Sequence, residues 1–356
     1  MKRIISIILL AVPFVANAQL SNDDVHKYDH RNQSQYRTEI SIPGFDGYAT
    51  LKCDFHIHTV FSDGSVWPSI RVQEAWKEGL DAIAITDHIE YRPHKDIVVS
   101  DHNESYNIAK KEGDKLGFMV IKGAEITRSK PLGHLNALFI SDANALDVED
   151  PLQAIDIAEA QGAYIIWNHP GWPDDKCTMY PLHEKLIAEG KIHGFEVWND
   201  IESYPLSYDW VSEYGLHPFA NSDIHGTISD RYAGTRPLTL VFAKERTHDS
   251  VKEAMFAGRV LALFNNFLMG KEEFIAPLVK ECLSFQLRED KGDYCIYNVV
   301  NNSDIRFQLQ IGNTLHQVTL NPHSQTYVEV AKNHDVTFVN CILGIGKYYS
   351  AHQSEL

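Results

Sequence analysis

Two histidines separated by a single residue, His56 and His58, end an apolar run that begins at Thr50. Side chains alternate between the two faces of a β-strand, so both imidazoles would project from one face and Phe55 and Ile57 from the other. Imidazole nitrogens that converge in this way can bind a transition metal ion. The pair alone is equally compatible with two polar residues on a solvated strand face.

Other apolar runs also end in histidine or a carboxylate. Glu125 lies within an apolar run, where a carboxylate is costly unless it binds a metal or pairs with Lys or Arg. Asp63 occupies a Ser-Asp-Gly turn and is also compatible with turn formation alone. Asp223 and His225 repeat the i, i+2 spacing, whereas an isolated histidine could be structural. The full set of candidate ligands is His56, His58, Asp63, His88, Glu125, His134, His169, Asp223 and His225.

This mixture of nitrogen and oxygen ligands suits divalent Zn, Mn or Fe. Nine candidate ligands exceed what one ion needs, so the sequence predicts two or three ions. Adjacent ions lower the pKa of a shared water and hold substrate oxygens, which is the chemistry of a hydrolase.

The positions of these residues agree with an α/β barrel, in which catalytic groups gather at the C-terminal ends of the strands. Apolar runs alternate with helical stretches, which is typical of βα units around a parallel sheet. The predicted strands are Thr50–His58, Ala82–Thr86, Phe118–Thr127, Ala137–Ser141, Ala163–His169, Gly194–Asn199 and Pro218–His225. The predicted helices are Trp67–Glu78, Asn103–Glu112, Pro151–Gln161 and Pro181–Glu189.

Beyond Lys271 the pattern changes to short alternating stretches separated by Asn- and Gly-containing turns, which predicts a small antiparallel β domain. The expected strands are Tyr294–Val300, Phe307–Ile311, Gln317–Leu320 and Thr326–Val330. The predicted organisation is a signal peptide (1–18), an N-terminal extension (19–47), the barrel (48–268) and the β domain (271–356).

The first eighteen residues are typical of a cleaved signal peptide. Lys2 and Arg3 precede an apolar run, and Ala16-Asn17-Ala18 forms a cleavage site. The apolar run is too short to span a bilayer, so we expect no stable membrane anchor and a periplasmic or secreted protein that begins after Ala18. The five cysteines could include a disulfide among Cys282, Cys295 and Cys341, or could all be buried free thiols.

The formal net charge of −16 disfavours nucleic acid as a partner, because such binding depends on Lys and Arg that contact phosphates. A phosphate-bearing substrate would need local positive charge, which metal ions could supply.

The chain resembles the polymerase and histidinol phosphatase (PHP) family. The motifs that carry the resemblance are Asp54-Phe55-His56-Ile57-His58-Thr59, Thr86-Asp87-His88, Gly123-Ala124-Glu125, Gly133-His134, Asn168-His169-Pro170 and Ser222-Asp223-Ile224-His225. The resemblance implies a distorted (β/α)7 TIM-like barrel with a trinuclear metal centre. It assigns His56, His58, Glu125 and Asp223 to one ion, Glu125, His134 and His169 to a second, and Asp63, His88 and His225 to a third. Asp63 stands where some members have histidine, which leaves the third ion in doubt.

The resemblance, which extends to a secreted phosphodiesterase-like branch, implies a metal-dependent phosphoesterase. It would hydrolyse small organic phosphodiesters, with monoesters as further substrates, through a metal-bridging hydroxide. Arg92, His94, Arg128 and Lys130 follow ligand-bearing strands and are candidates to bind phosphate or protonate the leaving group; ordinary solvated charges are the alternative. Glu196, Asn199 and Asp200 are expected to support the ligands.

Two other functions are compatible with the sequence. The same metal chemistry could hydrolyse amide, carbamate or carboxylic ester bonds, because a metal-bound hydroxide can attack carbon as well as phosphorus. Alternatively, the barrel could be an inert scaffold while the C-terminal β domain binds a surface ligand. The sequence leaves the oligomeric state open.

Overall fold

The seven strands predicted before residue 226 form a barrel in the computed structural model, which describes residues 36–232, 236–312 and 317–356. Residues Arg37–Leu356 form one compact unit. The barrel strands and the short strand β7 are β1 (Ala49–Asp54), β2 (Ala82–Ile85), β3 (Met119–Thr127), β4 (His134–Leu138), β5 (Tyr164–Trp167), β6 (Gly194–Asn199), β7 (Glu202–Ser203) and β8 (His217–Asn221).

The barrel is parallel except at β4, which corrects the expectation of a wholly parallel sheet. β1–β2, β2–β3, β5–β6 and β6–β8 pair in parallel, whereas β4 is antiparallel to both β3 and β5. Parallel neighbours need a long crossover, and the connection 128–133 between β3 and β4 is too short for one. The chain therefore turns back as a hairpin.

The four predicted helices are present within a few residues of their expected bounds. Proline begins α1, α3 and α4, where its missing N–H leaves no helical hydrogen bond unmade. The helices are α1 (Pro68–Lys77), α2 (Glu104–Leu116), α3 (Pro151–Ala160), α4 (Pro181–Ala188), α5 (Trp210–Glu213), α6 (Ile228–Arg231), α7 (His248–Phe256) and α8 (Glu272–Cys282).

The barrel closes between β1 and β8 through irregular segments that follow both strands. Ile57 and Ile224 form an isolated parallel bridge there. The buried side chain of Arg71 on α1 donates to the carbonyl oxygens of His58 (2.9 Å), Ile224 (3.2 Å) and His225 (2.9 Å). One guanidinium thus joins the two chain segments that carry four of the candidate ligands.

The C-terminal region contributes to the same large sheet as the barrel. Its order continues from β1 through β9, β10, β11, β17 and β14 to β15; β18 pairs with β17, while β12, β13 and β16 form a separate antiparallel sheet. The bounds are β9 (Leu238–Ala243), β10 (Val260–Phe264), β11 (Phe267–Met269), β12 (Leu283–Asp290), β13 (Tyr294–Asn301), β14 (Phe307–Ile311), β15 (Gln317–Leu320), β16 (Gln325–Ala331), β17 (Asp335–Gly344) and β18 (Lys347–His352).

The cysteines are free thiols in the structure, and Cys177 alone among them is not fully buried. No helix in the described part of the chain is long and apolar enough to cross a membrane. The predicted signal peptide lies outside the described residues.

Replacing Arg71 with methionine tests its role in closing the barrel. The change leaves three carbonyl oxygens without their charged donor and Glu74 without its partner at 3.0 Å. We expect the free energy of unfolding to fall by about 3 kcal/mol, as measured by urea denaturation. Lys110→Met on the exposed face of α2 is the matched control and should change stability by less than about 0.5 kcal/mol. Equal stability of the two variants would contradict the role of Arg71.

Candidate metal centre

All nine candidate ligands lie close together at the mouth of the barrel, and six of them line one cavity there. His56 and His58 lie just beyond β1, which ends at Asp54, so the predicted strand was too long although both side chains reach the site. Four groups of residues have ligand atoms within 4.8 Å of one another. They are His58, Asp63, His88 and His225; His56, His58 and Glu125; His56, His169 and Asp223; and His88, Glu125 and His134.

These groups resemble, without reproducing, the three sets that the resemblance implied. The set implied for the third ion (Asp63, His88 and His225) is found complete, with His58 added. The set implied for the first ion is divided between two groups that share His56. Glu125 lies between the sets, since its Oε1 is 3.4 Å from His56 Nε2, 3.1 Å from His134 Nδ1 and 3.6 Å from His169 Nε2. This central position agrees with the implied bridging role.

Three buried carboxylate oxygens in the site have imidazole nitrogens nearby, but none in a geometry that makes a hydrogen bond. They are Asp63 Oδ1, Glu125 Oε2 and Asp223 Oδ1. Asp223 Oδ1 lies 3.1 Å from His56 Nε2 and 3.0 Å from His58 Nε2, but the angles do not suit hydrogen bonding. Buried anionic oxygens are costly unless a cation satisfies them. Oxygen and imidazole donors arranged in this way fit divalent metal ions.

The carboxylates of the site favour the charged forms of two candidate histidine ligands. Burial disfavours the charged form of His56, but Asp223, Glu196 and Glu125 raise its pKa well above the usual value. Burial acts in the same way on His88, and Glu125 and Asp63 still raise its pKa to about 10. For His58, burial and the neighbouring charge of His88 lower the pKa to about 4. The carboxylates therefore attract positive charge, and protons partly supply it.

Glu196 contacts two of the candidate ligands, His56 and His169, and holds them in position. Its Oε1 lies 2.9 Å from His56 Nδ1 and accepts a hydrogen bond from Asn221, while Oε2 accepts from the backbone N–H of His169 and from Asn199 Nδ2. A carboxylate on Nδ1 fixes the ring orientation and leaves Nε2 free for a metal. This agrees with the supporting role expected for Glu196 and Asn199.

Asp87 orders the loop that carries Asp63, a role that the sequence did not reveal. It accepts hydrogen bonds from the backbone N–H and hydroxyl of Thr59 and from Ser62 Oγ. Ser62 Oγ in turn lies 3.3 Å from His58 Nδ1. Its position next to His88 indicated that Asp87 lies near the site, but the sequence did not show that Thr59 and Ser62 would be its hydrogen-bond partners.

The cavity has a volume of about 690 Å³ and contains Arg128 in its wall. Arg92 and His94 are not among the residues that line it. Arg92 instead donates to the carbonyl oxygens of Phe61, Val99 and Ser100, so its guanidinium shapes a loop. The lining residues are Asp63, His88, Tyr91, Thr127, Arg128, Ser129, His134, His169, Trp172, Asn199, Asp200, Glu202, Asp223 and His225.

Comparison with known proteins identifies the family. The family model of the PHP domain matches residues 54–188. The crystal structure of a two-domain protein from Bacteroides vulgatus ATCC 8482, described as containing a predicted PHP-like metal-dependent phosphoesterase, is 39% identical, with a TM-score of 0.85; the match covers 89% of this chain and 98% of that chain. An uncharacterized protein of Methanocaldococcus jannaschii is 40% identical over 200 residues, which is 51% of this chain and 87% of the relative.

The chain therefore belongs to the PHP domain family, as its motifs predicted. The predicted fold class, an α/β barrel followed by an antiparallel β region, is also confirmed by the two-domain relative.

Metal binding should release protons, because His56 and His88 have raised pKa values and must lose their protons to become ligands. Near neutral pH the raised pKa favours the charged form of His88, and the pKa of His56 is shifted in the same direction. Affinity for Zn²⁺ or Mn²⁺ should therefore rise with pH toward the His88 pKa of about 10. Calorimetry in two buffers with different ionisation enthalpies measures the released protons. A binding enthalpy that does not depend on the buffer would contradict this prediction.

Glu196→Gln should weaken metal binding about 10- to 100-fold, because the neutral amide no longer holds His56 Nδ1–H as a carboxylate does. Metal titration of the metal-free protein, followed by calorimetry, measures the change. Glu149→Gln on the exposed surface is the matched control. Unchanged affinity in a Glu196→Gln protein with normal circular dichroism would show that Glu196 does not position His56.

Proposed function

We propose that the protein is a metal-dependent phosphoesterase that hydrolyses small organic phosphodiesters and, more slowly, monoesters. The observation that carries the proposal is the cluster of nine nitrogen and carboxylate ligands at the mouth of the barrel, with three buried carboxylate oxygens that accept no hydrogen bond of good geometry. The description of the relative from Bacteroides vulgatus as containing a predicted PHP-like metal-dependent phosphoesterase supports the phosphoester assignment.

The chain's own residues bind and orient the reacting groups. Bound divalent ions would supply positive charge for phosphoryl oxygens and lower the pKa of an attacking water. Glu125 and Asp223 are among the residues that would hold those ions, and His134 and His169 line the cavity that is open to a substrate. Of the four candidates from the sequence, Arg128 alone lines this cavity, since Lys130 pairs with Asp174 and donates to the carbonyl oxygen of Lys176. Arg128 Nε lies 2.8 Å from Glu90 Oε1, which directs the guanidinium along the cavity wall.

The size and charge of the cavity favour a small substrate over nucleic acid. A volume of about 690 Å³ suits a small organic ester. The lining includes Asp200 and Glu202 in addition to the candidate ligands, and the chain carries a net charge of −16. A polyanion would be repelled by such a surface. We also propose, from the N-terminal sequence alone, that the mature protein is periplasmic or secreted.

A panel of esters with one chromophore tests this function. Protein loaded with Zn²⁺ or Mn²⁺ should hydrolyse 4-nitrophenyl ethyl phosphate faster than 4-nitrophenyl phosphate, and both faster than 4-nitrophenyl carbamates and acetate. His56→Ala and Glu125→Gln should reduce the phosphodiester rate to background, because each removes a ligand atom from the buried centre. Absorbance of released 4-nitrophenol gives the rates.

His323→Ala is the matched control, since its side chain lies on the surface against Asp304 and far along the chain from the candidate ligands. It should retain the phosphodiester rate. Carbamate turnover above phosphodiester turnover would reject the phosphoester assignment in favour of an amide or carbamate hydrolase. Hydrolysis that persists in His56→Ala with metal present would show that the nine-residue centre is not responsible.

A further inference from the structure

Two large aromatic side chains remain about half exposed where the cavity opens. The exposed fraction is 51% for Trp172 and 54% for Tyr91, and both residues line the cavity. Single exposed aromatic residues are common on protein surfaces and need no explanation. Two of them beside the same cluster of candidate ligands form a nonpolar part of an otherwise polar cavity.

The indole of Trp172 lies directly beside the candidate ligands. Its ring centroid is 4.8 Å from that of His134 and 5.8 Å from that of His169. Tyr91 lies on another side of the site, with its ring 5.8 Å from that of His88. A group attached to phosphorus at the centre would therefore reach one of these aromatic faces.

The turn that carries Trp172 is held in place, so the exposed indole does not result from a loosely packed loop. The backbone N–H of Trp172 donates to the carbonyl oxygen of His169 at 3.0 Å. Gly171 packs against Tyr204 so closely that an added Cβ would lie 2.7 Å from the ring. The hydroxyl of Tyr204 donates to Glu202 at 2.6 Å. An aromatic side chain fixed before binding loses little conformational freedom when a ligand stacks on it.

The charge of the surrounding wall indicates what kind of group can lie there. Among the described residues that line the cavity, Arg128 is the only Arg or Lys, and Glu90 already pairs with it. Asp200, which pairs with Arg231, and Glu202 add carboxylates to the same wall. Away from the metal ions, this wall therefore offers little positive charge to an organic group that carries its own negative charge.

We infer that Trp172 forms the face of a subsite for a neutral, planar aromatic group of the substrate, with Tyr91 bordering the same opening. This inference rests on the proposed phosphoester function and names the substrate class as aryl phosphodiesters. Stacking on an indole favours a flat ring over an alkyl group of similar polarity by roughly tenfold in affinity. Trp172 thus determines specificity and takes no part in bond cleavage.

Binding of phosphonate analogues, in which the tested group is attached to phosphorus through a carbon atom that hydrolysis does not remove, tests the subsite separately from hydrolysis. Ethyl phenylphosphonate, ethyl cyclohexylphosphonate and ethyl methylphosphonate each carry one negative charge and differ in a single group. Calorimetry with metal-loaded protein should show the phenyl compound binding about tenfold more tightly than the methyl compound. The cyclohexyl compound should bind less tightly than the phenyl compound, and a 4-carboxyphenyl analogue should lose the advantage of the ring.

Trp172→Ala should bring the ratio of phenyl to methyl affinity close to one, and Trp172→Phe should restore part of it. Tyr327→Ala, which removes a 62% exposed aromatic side chain from β16, is the matched control and should keep the wild-type ratio. A ratio near one in the wild type, an unchanged ratio in Trp172→Ala, or cyclohexyl binding equal to phenyl binding would overturn the subsite. If neither phenyl nor methyl analogue binds, the phosphoester function itself is contradicted.

Discussion

Three buried carboxylate oxygens, one each from Asp63, Glu125 and Asp223, require positive charge, and this requirement organises the mouth of the barrel. Glu125 is fully buried, and its two oxygens are surrounded by histidines, with Oε2 at 2.5 Å from His88 Nδ1 and Oε1 accepting from Asn168 at 2.8 Å. Burying such a carboxylate costs several kcal/mol unless cations compensate. Raised pKa values of His56 and His88 show that protons provide part of this charge in the metal-free state. Divalent ions would provide it more completely.

The backbone around the site is irregular, and polar side chains hold it in place. His169 and Asp223 adopt positive φ angles of 23° and 49°, conformations that are costly for residues other than glycine. The backbone N–H of Asp223 donates to the carbonyl oxygen of His56, and Asp54 accepts from both Ser222 and Arg236. In regularly paired strands these side chains would be spread along one face of the sheet. The irregular backbone instead directs them toward one point.

The sequence predicted the seven main barrel strands, four helices and the ligands, because these depend on local patterns, but it did not predict β7, β9 to β12, β17, β18 or α5 to α8. Apolar runs located these strands, and the histidines and carboxylates within or near the runs are the nine residues that lie together at the site. The antiparallel direction of β4 also follows from a short connection, but the expectation of uniform βα units concealed it. Long-range contacts were beyond prediction: the side chain of Arg71 bonds to residues more than 150 positions later, and Arg92 turns away from the cavity to bind Val99 and Ser100. Position after a strand does not determine where a long side chain points.

The C-terminal region supports the site through the sheet that it shares with the barrel. β17 pairs with β11, β11 with β10, β10 with β9, and β9 with β1, the strand that leads to His56. One apolar core joins Leu240 and Leu261 of this sheet to Phe307 and Phe338 of the C-terminal strands. Because β1 is hydrogen-bonded on one side by β2 and on the other by β9, its position depends on residues that follow the barrel in sequence. The boundary near residue 270 therefore separates two sequence patterns, while the hydrogen-bonded sheet and the core continue across it.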